Sequence, residues 1–243
     1  MINKFFHFQK FSLKNESAAF KINTDGVLLA AWAEMNSANQ ILDIGTGTSV
    51  IAHICAQRNP KSFITGIDID IDSYEEARFN VAHNHLEHRI SIVHGDVTKW
   101  ESPHLYDHVI TNPPYFSDST LSTNKKLNIA KHTEHLSIEK LWSGISRLTH
   151  TKSKVSLILP FDSKDKCIQQ AAIHGFHAAR QLNIKNRSEG KYIRIALEFS
   201  REVIVKEVGE LCIHSDGEAY YSDTFINLHK DLNMIFKDHM ENN

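Results

Sequence analysis

The feature that most constrains the fold is an apolar run that leads into a glycine-rich turn, at residues 40–47. The run contains the letters ILDI and is followed by Gly45, Thr46 and Gly47. Such a run predicts a buried strand, and the apolar residues after the turn predict a helix. A strand that passes through a glycine turn into a helix is the first unit of a doubly wound α/β sheet.

The same alternation continues through most of the chain. Strands are predicted at 63–68, 90–93, 106–111 and 155–160, and helices at 50–58, 72–82, 137–148 and 162–175. Two strands at 177–186 and 191–199, joined by the turn residues 187–190, predict a β-hairpin. A short strand at 202–208 and a helix at 225–236 complete the pattern. We therefore predict an α/β fold: a mostly parallel sheet with helices on both faces and a C-terminal antiparallel hairpin.

A second motif, Asn112-Pro113-Pro114-Tyr115, follows the strand predicted at 106–111. A proline after Asn112 favours an extended backbone there, and neither proline has an N–H to donate. The turn therefore offers acceptors, the Asn112 side-chain oxygen and the Pro113 carbonyl, beside the aromatic ring of Tyr115. Acceptors next to a stacking ring suit a planar group that carries an –NH2. The tetrapeptide alone is also consistent with a turn that merely closes a loop.

Three carboxylates stand near the ends of the first three strands of this sheet. Asp43 lies two residues before Gly45, Asp68 ends the second strand, and Asp96 follows the third. Asp68 is 21 residues beyond Gly47, near the distance at which an acid on the second strand meets ribose hydroxyls. Each carboxylate alone is also consistent with a solvated or helix-capping side chain. At successive strand ends, the three together predict a ligand site.

The charge of these residues favours one class of nucleotide ligand. An acid two residues before the first glycine is unfavourable for a pyrophosphate, and Val50 stands where the dinucleotide motif has its last glycine, so NAD is disfavoured. S-adenosylmethionine has an ammonium and a sulfonium group that suit the acids. We expect Asp43 to act on its amino-acid end, directly or through water, Asp68 on its ribose and Asp96 on its adenine amino group. The predicted cofactor-binding residues are Asp43, Gly45, Thr46, Gly47, Asp68, Asp96 and Asn112.

The distribution of charge bears on the substrate. The net charge is only −2, so bulk charge does not indicate a nucleic-acid binder. Locally, most of the charged residues at 66–103 are acidic, and most of those at 120–154 are basic. The phenylalanines and lysines of residues 1–22 suit contact with unpaired bases and phosphates. The alternatives are a solvated face for the basic stretch and a strand edge packed on the main domain for the N-terminal aromatics.

Cysteine and histidine spacing gives no sign of a metal or disulfide framework. Cys55, Cys167 and Cys212 are scattered, and His83 and His85 point apart on a helix. The sequence also shows no signal peptide and no apolar run of about 18 residues. We therefore expect a cytoplasmic protein without a membrane or metal partner.

With these residues in view, the chain resembles the class I S-adenosylmethionine-dependent methyltransferases with an N/D-P-P-Y/F/W motif. More narrowly, it resembles the bacterial tRNA1(Val) adenine-N6-methyltransferases. The resemblance covers nearly the whole length, and its one marked departure is Ser49, where the family usually has a third glycine. The matching features are the aromatic and basic N-terminus with Phe6, Phe8 and Phe11, then Thr24-Asp25-Gly26, Asp43–Gly47, Asn112–Tyr115 and Ala130–Thr133.

The resemblance implies a Rossmann-like class I methyltransferase fold with a seven-stranded sheet. It implies one domain over residues 1–243, with residues 1–35 as an extension that caps the substrate and cofactor. The implied reaction is methyl transfer to N6 of a tRNA adenine beside the anticodon by a monomeric enzyme, with the base flipped into the site. Asn112 and Pro113 would accept the N6 hydrogens, and Tyr115 would stack on the base. The predicted substrate-binding residues are Lys125, Lys126, Lys131 and His132.

Two other functions stay open at this point. A protein glutamine N5-methyltransferase would present an amide –NH2 to the same acceptors, but the aromatic N-terminus and the basic stretch disfavour it. A non-catalytic nucleotide- or RNA-binding module on a Rossmann-like scaffold is the other. The complete Asn112–Tyr115 motif together with three acids speaks against that module.

Overall fold

The computed structural model describes residues 5–114, 136–202, 206–215 and 221–230. Between residues 24 and 173 its strands and helices alternate, as the apolar periodicity predicts, except that the strands at 90–94 and 106–111 follow one another. The strands are β1 (Phe5–His7), β2 (Ser12–Lys14), β3 (Gln40–Ile44), β4 (Phe63–Asp68), β5 (Ile90–His94), β6 (Tyr106–Thr111), β7 (Thr149–Pro160), β8 (His177–Lys185), β9 (Tyr192–Ser200) and β10 (Glu207–Cys212). The helices are α1 (Thr24–Trp32), α2 (Val50–Arg58), α3 (Ile71–His83), α4 (Ile138–Arg147), α5 (Lys164–Ile173) and α6 (Asp223–His229).

Eight of these strands form one sheet, in the order β10-β8-β9-β7-β6-β3-β4-β5. All neighbours run parallel except β9, which is antiparallel to both β7 and β8. The chain first moves outward from β3 to β5 and then returns to place β6 on the other side of β3. A sheet of this kind opens a ligand crevice where the strand order reverses, at the C-terminal ends of β3 and β6.

The core consists of two apolar layers, one on each face of the sheet. The first packs α1 and α2 against the sheet, through buried residues such as Leu29 and Ile54. The second packs α4 and α5 against the other face, around the fully buried ring of Trp142. Helix α4 begins after Ser137, whose side chain accepts the Lys140 N–H at 3.3 Å, as its N-cap position predicts.

The predicted fold class is confirmed, and two details differ from the predictions. The strand expected at 202–208 is β10 at Glu207–Cys212, and it adds an eighth strand beside β8. Strands β1 and β2, for which no pairing was predicted, form a separate two-stranded sheet. Helix α6 begins at Asp223, and the predicted end of that helix, beyond residue 230, lies outside the described residues.

No helix within the described ranges is both long and apolar enough to cross a membrane.

Candidate active site

One cavity lies at the C-terminal ends of β3, β4 and β6, where the topology predicts a ligand crevice. It encloses about 1140 Å³, including its open mouth. Strand register explains why distant residues meet here, since Ile44 pairs with Ile67 on one side and with Thr111 on the other. The cavity is lined by the glycine turn (45–48), by residues 67–70 and 95–97, by Asn112–Pro114 and by part of the N-terminal segment.

The glycine turn has a backbone that favours glycine at two positions. Gly45 has a φ of 70° and Gly47 a φ of 55°, both in the left-handed region. Ser49, at the start of α2, also lies in that region, with a φ of 65°. Serine therefore occupies a conformation that costs a non-glycine residue about 1 kcal/mol or more.

Asp43 is fully buried and is not among the residues that line the cavity. Its Oδ2 accepts the Thr46 Oγ1–H at 2.7 Å, so the carboxylate supports the glycine turn from within the protein. Its Oδ1 meets no hydrogen-bond partner among the described residues. Burial raises the pKa of Asp43 from 3.8 to about 7, against the lowering effect of the Thr46 hydrogen bond.

Asp68 and Asp96 both line the cavity, as the sequence predicts. Asp68 accepts the Gly47 N–H at 2.8 Å through Oδ2 and the Asp70 N–H at 3.0 Å through Oδ1. Asp96 Oδ1 accepts the Thr98 N–H at 2.9 Å and the Thr98 hydroxyl at 2.7 Å. These bonds hold the two carboxylates at fixed points along the cavity wall.

Asn112, Pro113 and Pro114 form the cavity wall at the end of β6. The preceding residue, Thr111, is buried, and its hydroxyl donates to the Ile44 carbonyl at 2.9 Å, which fixes the end of β6 against β3. The Asn112 Nδ2 donates to Asn23 Oδ1 at 3.3 Å. The structure therefore brings the predicted acceptor turn and the predicted glycine turn to one cavity.

An N-terminal strap (residues 15–23) contributes Ala19, Phe20, Lys21 and Asn23 to the lining of the cavity. The strap is held by helix α3, where the buried Glu76 carboxylate accepts the N–H groups of Glu16, Ser17 and Ala18.

Two asparagines, Asn80 on α3 and Asn84 just after its end, continue this attachment toward β2. Asn80 accepts the Lys14 N–H at 2.7 Å and donates to the Thr48 carbonyl at 3.0 Å. Asn84 accepts the Ser12 N–H and donates to the Ser12 carbonyl. The sequence analysis did not predict these anchors, although Glu76, Asn80 and Asn84 are spaced four residues apart and so lie on one side of a helix.

Several predicted site residues cannot be located. Tyr115 and the predicted substrate-binding residues Lys125, Lys126, Lys131 and His132 lie outside the described residues. In the described ranges, no group of three or more His, Cys, Asp or Glu side chains is arranged to hold a metal ion.

Comparison with known proteins identifies the family of this chain. The model of the methyltransferase small domain matches residues 14–142. A protein of Phocaeicola vulgatus named tRNA1(Val) (adenine(37)-N6)-methyltransferase is 39% identical, over 96% of this chain and all of its own length. A protein of the same name from Pseudoalteromonas translucida is 37% identical, over 93% of this chain and 96% of its own.

Solved structures resemble this one in fold at low sequence identity. A protein of Agrobacterium tumefaciens described as a predicted O-methyltransferase has a TM-score of 0.68 at 20% identity, over 87% of this chain and 98% of its own. An O-methyltransferase of Brevibacillus brevis, solved with S-adenosyl-L-homocysteine, has a TM-score of 0.50 at 18% identity, over 65% of this chain and 52% of its own.

The sheet order, the glycine turn after β3 and the acceptor turn after β6 define a class I methyltransferase. Nearly full-length similarity narrows the class further. The chain belongs to the tRNA1(Val) (adenine(37)-N6)-methyltransferase family.

Proposed function

We propose that this chain transfers a methyl group from S-adenosylmethionine to N6 of an adenine in tRNA, at adenine 37 beside the anticodon of valine tRNA. One observation carries the proposal. The acceptor turn Asn112–Pro114 lines the same cavity as Gly45, Gly47, Asp68 and Asp96. An amino group held by the first set therefore lies next to a cofactor held by the second.

The residues of the cavity suit this cofactor. Asp68 lies on the wall at the end of β4 and would accept hydrogen bonds from the ribose hydroxyls, and Asp96, on the wall beyond β5, would accept one from the adenine amino group. Asp43, with an unmet acceptor oxygen beneath the glycine turn, adds negative charge that favours a cationic ligand. When bound, the cofactor supplies a methyl group on a positively charged sulfur, which is already a strong electrophile.

Asn112 and Pro113 have the task of orienting the substrate. The Asn112 Oδ1 and the Pro113 carbonyl accept the two N6 hydrogens, which directs the nitrogen lone pair away from these acceptors. Alignment of the nitrogen with the methyl group supplies much of the catalysis. The N6 proton becomes acidic as the new bond forms, so it can leave to water without a strong base.

Residues outside the described ranges complete the proposal. Tyr115 would stack on the flipped adenine, and Lys125, Lys126, Lys131 and His132 would contact the RNA. Residues 1–35 would act as the extension that caps the site, with the strap as its part nearest the cofactor. We further propose that the enzyme works as a monomer in the cytoplasm, where its substrate is found.

The experiment that tests this proposal offers labelled S-adenosylmethionine to the purified protein with total tRNA, and separately with a protein extract. Digestion and mass spectrometry then identify the methylated species. We expect N6-methyladenine in tRNA and no label in protein. Label in protein glutamine with none in tRNA would support the glutamine N5-methyltransferase instead. Binding of tRNA without methyl transfer to either substrate would support a non-catalytic module.

A further inference from the structure

On the basis of the proposed function, we infer that Asn23 is a positioning residue: it decides which end of the Asn112 amide faces the substrate. The two residues are 89 positions apart in the sequence and meet at the cavity. An asparagine amide has an acceptor at one end and a donor at the other. Only the acceptor end of Asn112 suits a substrate that presents an –NH2 group.

The orientation of Asn23 follows from its position before helix α1. Its side chain is the N-cap, and Oδ1 accepts the Gly26 N–H at 3.0 Å. Because a backbone N–H can only donate, the atom that faces it must be the oxygen of Asn23. The other end of the amide, Nδ2, lies 3.4 Å from the Lys21 carbonyl, which can only accept. The helix start therefore sets the Asn23 amide in one orientation.

Asn23 then sets the orientation of Asn112. The same Oδ1 that caps α1 lies 3.3 Å from the Asn112 side chain. An oxygen that already acts as an acceptor requires a donor opposite it, so the Nδ2 of Asn112 faces Asn23. Among the described residues, no hydrogen bond reaches Asn112 Oδ1, and Asn112 lines the cavity. Its acceptor end is therefore available to a substrate amino group.

Gly26, in the first turn of α1, also lies beside the Asn112 amide. A Cβ atom at this position would lie 3.6 Å from Asn112 Nδ2, in ordinary contact, so the first turn of α1 packs directly against the amide. The opposite amide orientation would bring two oxygens together at Asn23 and point an N–H at the substrate –NH2. Both changes are unfavourable, and Asn23 therefore disfavours the unproductive orientation before the substrate arrives.

Three variants separate this role from helix capping. Asn23→Ser keeps a good N-cap, but its hydroxyl is shorter by one bond and does not reach Asn112. Asn23→Asp keeps both the cap and an acceptor for the Asn112 Nδ2. Asn23→Ala loses both. For each protein we would measure the thermal midpoint, the cofactor Kd, and kcat and KM for methylation of unmodified tRNA.

We expect Asn23→Ser to lower kcat about 3- to 10-fold, as loss of one neutral hydrogen bond does. Its thermal midpoint, cofactor Kd and KM for tRNA should match those of the wild type. Asn23→Asp should restore kcat, and Asn23→Ala should lose both kcat and stability. Wild-type kcat in Asn23→Ser, or an equal loss in Asn23→Asp, would overturn the inference. An inactive wild-type protein would instead count against the proposed function, so the two failures are distinguishable.

Discussion

Asp43 is the residue whose protonation most affects this site. Its pKa is raised from 3.8 to about 7 by burial, so the folded protein holds a proton here that the unfolded chain releases. The stability from this proton is fully present below the unfolded pKa and is lost as pH rises toward 7. The ionised form, in turn, favours a cationic cofactor, so cofactor affinity should rise as the pH passes through about 7, where Asp43 of the folded protein loses its proton.

Asp43→Asn should remove both effects. An asparagine keeps an acceptor for the Thr46 hydroxyl but carries no charge that burial can penalise. We expect the variant to be more stable than the wild type at about pH 8, with little difference at about pH 4. Its cofactor affinity should be lower than that of the wild type at about pH 8. Thermal melts and calorimetry at both pH values check this. A variant with the wild-type pH dependence would contradict the role given to Asp43.

Ser49 provides a second test at a single residue. Its φ of 65° is unfavourable for serine, so Ser49→Gly should raise the free energy of unfolding by ~1 kcal/mol, or about 2–4 °C in thermal midpoint. The matched control is Ser137→Gly, because Ser137 caps α4 with a φ of −74° and gains nothing from glycine. A lower midpoint in Ser49→Gly would mean that the Ser49 hydroxyl, which donates to the Thr48 carbonyl, outweighs the strain.

Single residues also show how far sequence reasoning reaches. The strand ends predicted from apolar runs are those where the structure has Asp68, Asp96 and Asn112, and all three line one cavity. Asp43 was expected to act on the cofactor directly or through water, and it lies fully buried beneath the turn. A strand covered on both faces is apolar throughout, so its sequence does not tell which way one acid points.

Among the secondary-structure elements, helix α3 attaches the strap to the rest of the site. Three consecutive N–H groups of the strap converge on the Glu76 carboxylate, and the side chain is 3% exposed. This attachment holds Phe20 and Lys21 at the cavity. We expect the strap to slow the escape of bound cofactor, because four of its residues form part of the cavity wall.

Glu76→Gln tests that attachment. The amide has one oxygen in place of two, and its –NH2 faces N–H groups that can only donate. We expect a cofactor Kd about 10-fold weaker, through a faster dissociation rate, and a loss of ~1–3 kcal/mol in stability. Glu75→Gln is the matched control, since Glu75 is exposed on the same helix. Equal cofactor dissociation rates in the two variants would show that the strap does not retain the cofactor.

Elements with regular periodicity were predicted more closely than the pairings between them. The strands and helices of the α/β core follow from apolar runs and turn residues. The pairing of β10 with β8 depends on contacts between distant segments that no local pattern encodes. The attachment of the strap to α3 is also invisible to local patterns, because the residues that form it are about 60 positions apart and meet only in the folded chain.

The whole molecule brings four short segments to one edge of the sheet. Parallel strands place their C-terminal ends together, which is why residues 45–48, 67–70, 95–97 and 112–114 share one cavity. The β8–β9 hairpin, although far away in the sequence, also contacts an element next to the cavity. Arg194 on β9 forms an ion pair with Asp25 at 2.8 Å and so ties the hairpin to the start of α1, next to Asn23. Asn112 is therefore held by Asn23, and the helix that follows Asn23 is held in turn by Arg194 of the hairpin.

The most direct test of the central claim is the modification state of valine tRNA in cells. A strain that lacks this gene would be complemented with the wild type or with Asn112→Ala, and the purified tRNA analysed by mass spectrometry. Asn112→Ala removes one acceptor while Pro113 and Pro114 still set the backbone of the turn, so cofactor affinity measured by calorimetry should be retained.

Loss of a hydrogen bond made mainly in the transition state costs ~10²–10³ in rate. We therefore predict N6-methyladenine at position 37 with the wild type and little or none with Asn112→Ala. Wild-type levels of the modified base in the Asn112→Ala strain would contradict the proposed chemistry. An adenine that stays unmodified even with the wild type would contradict the proposed substrate.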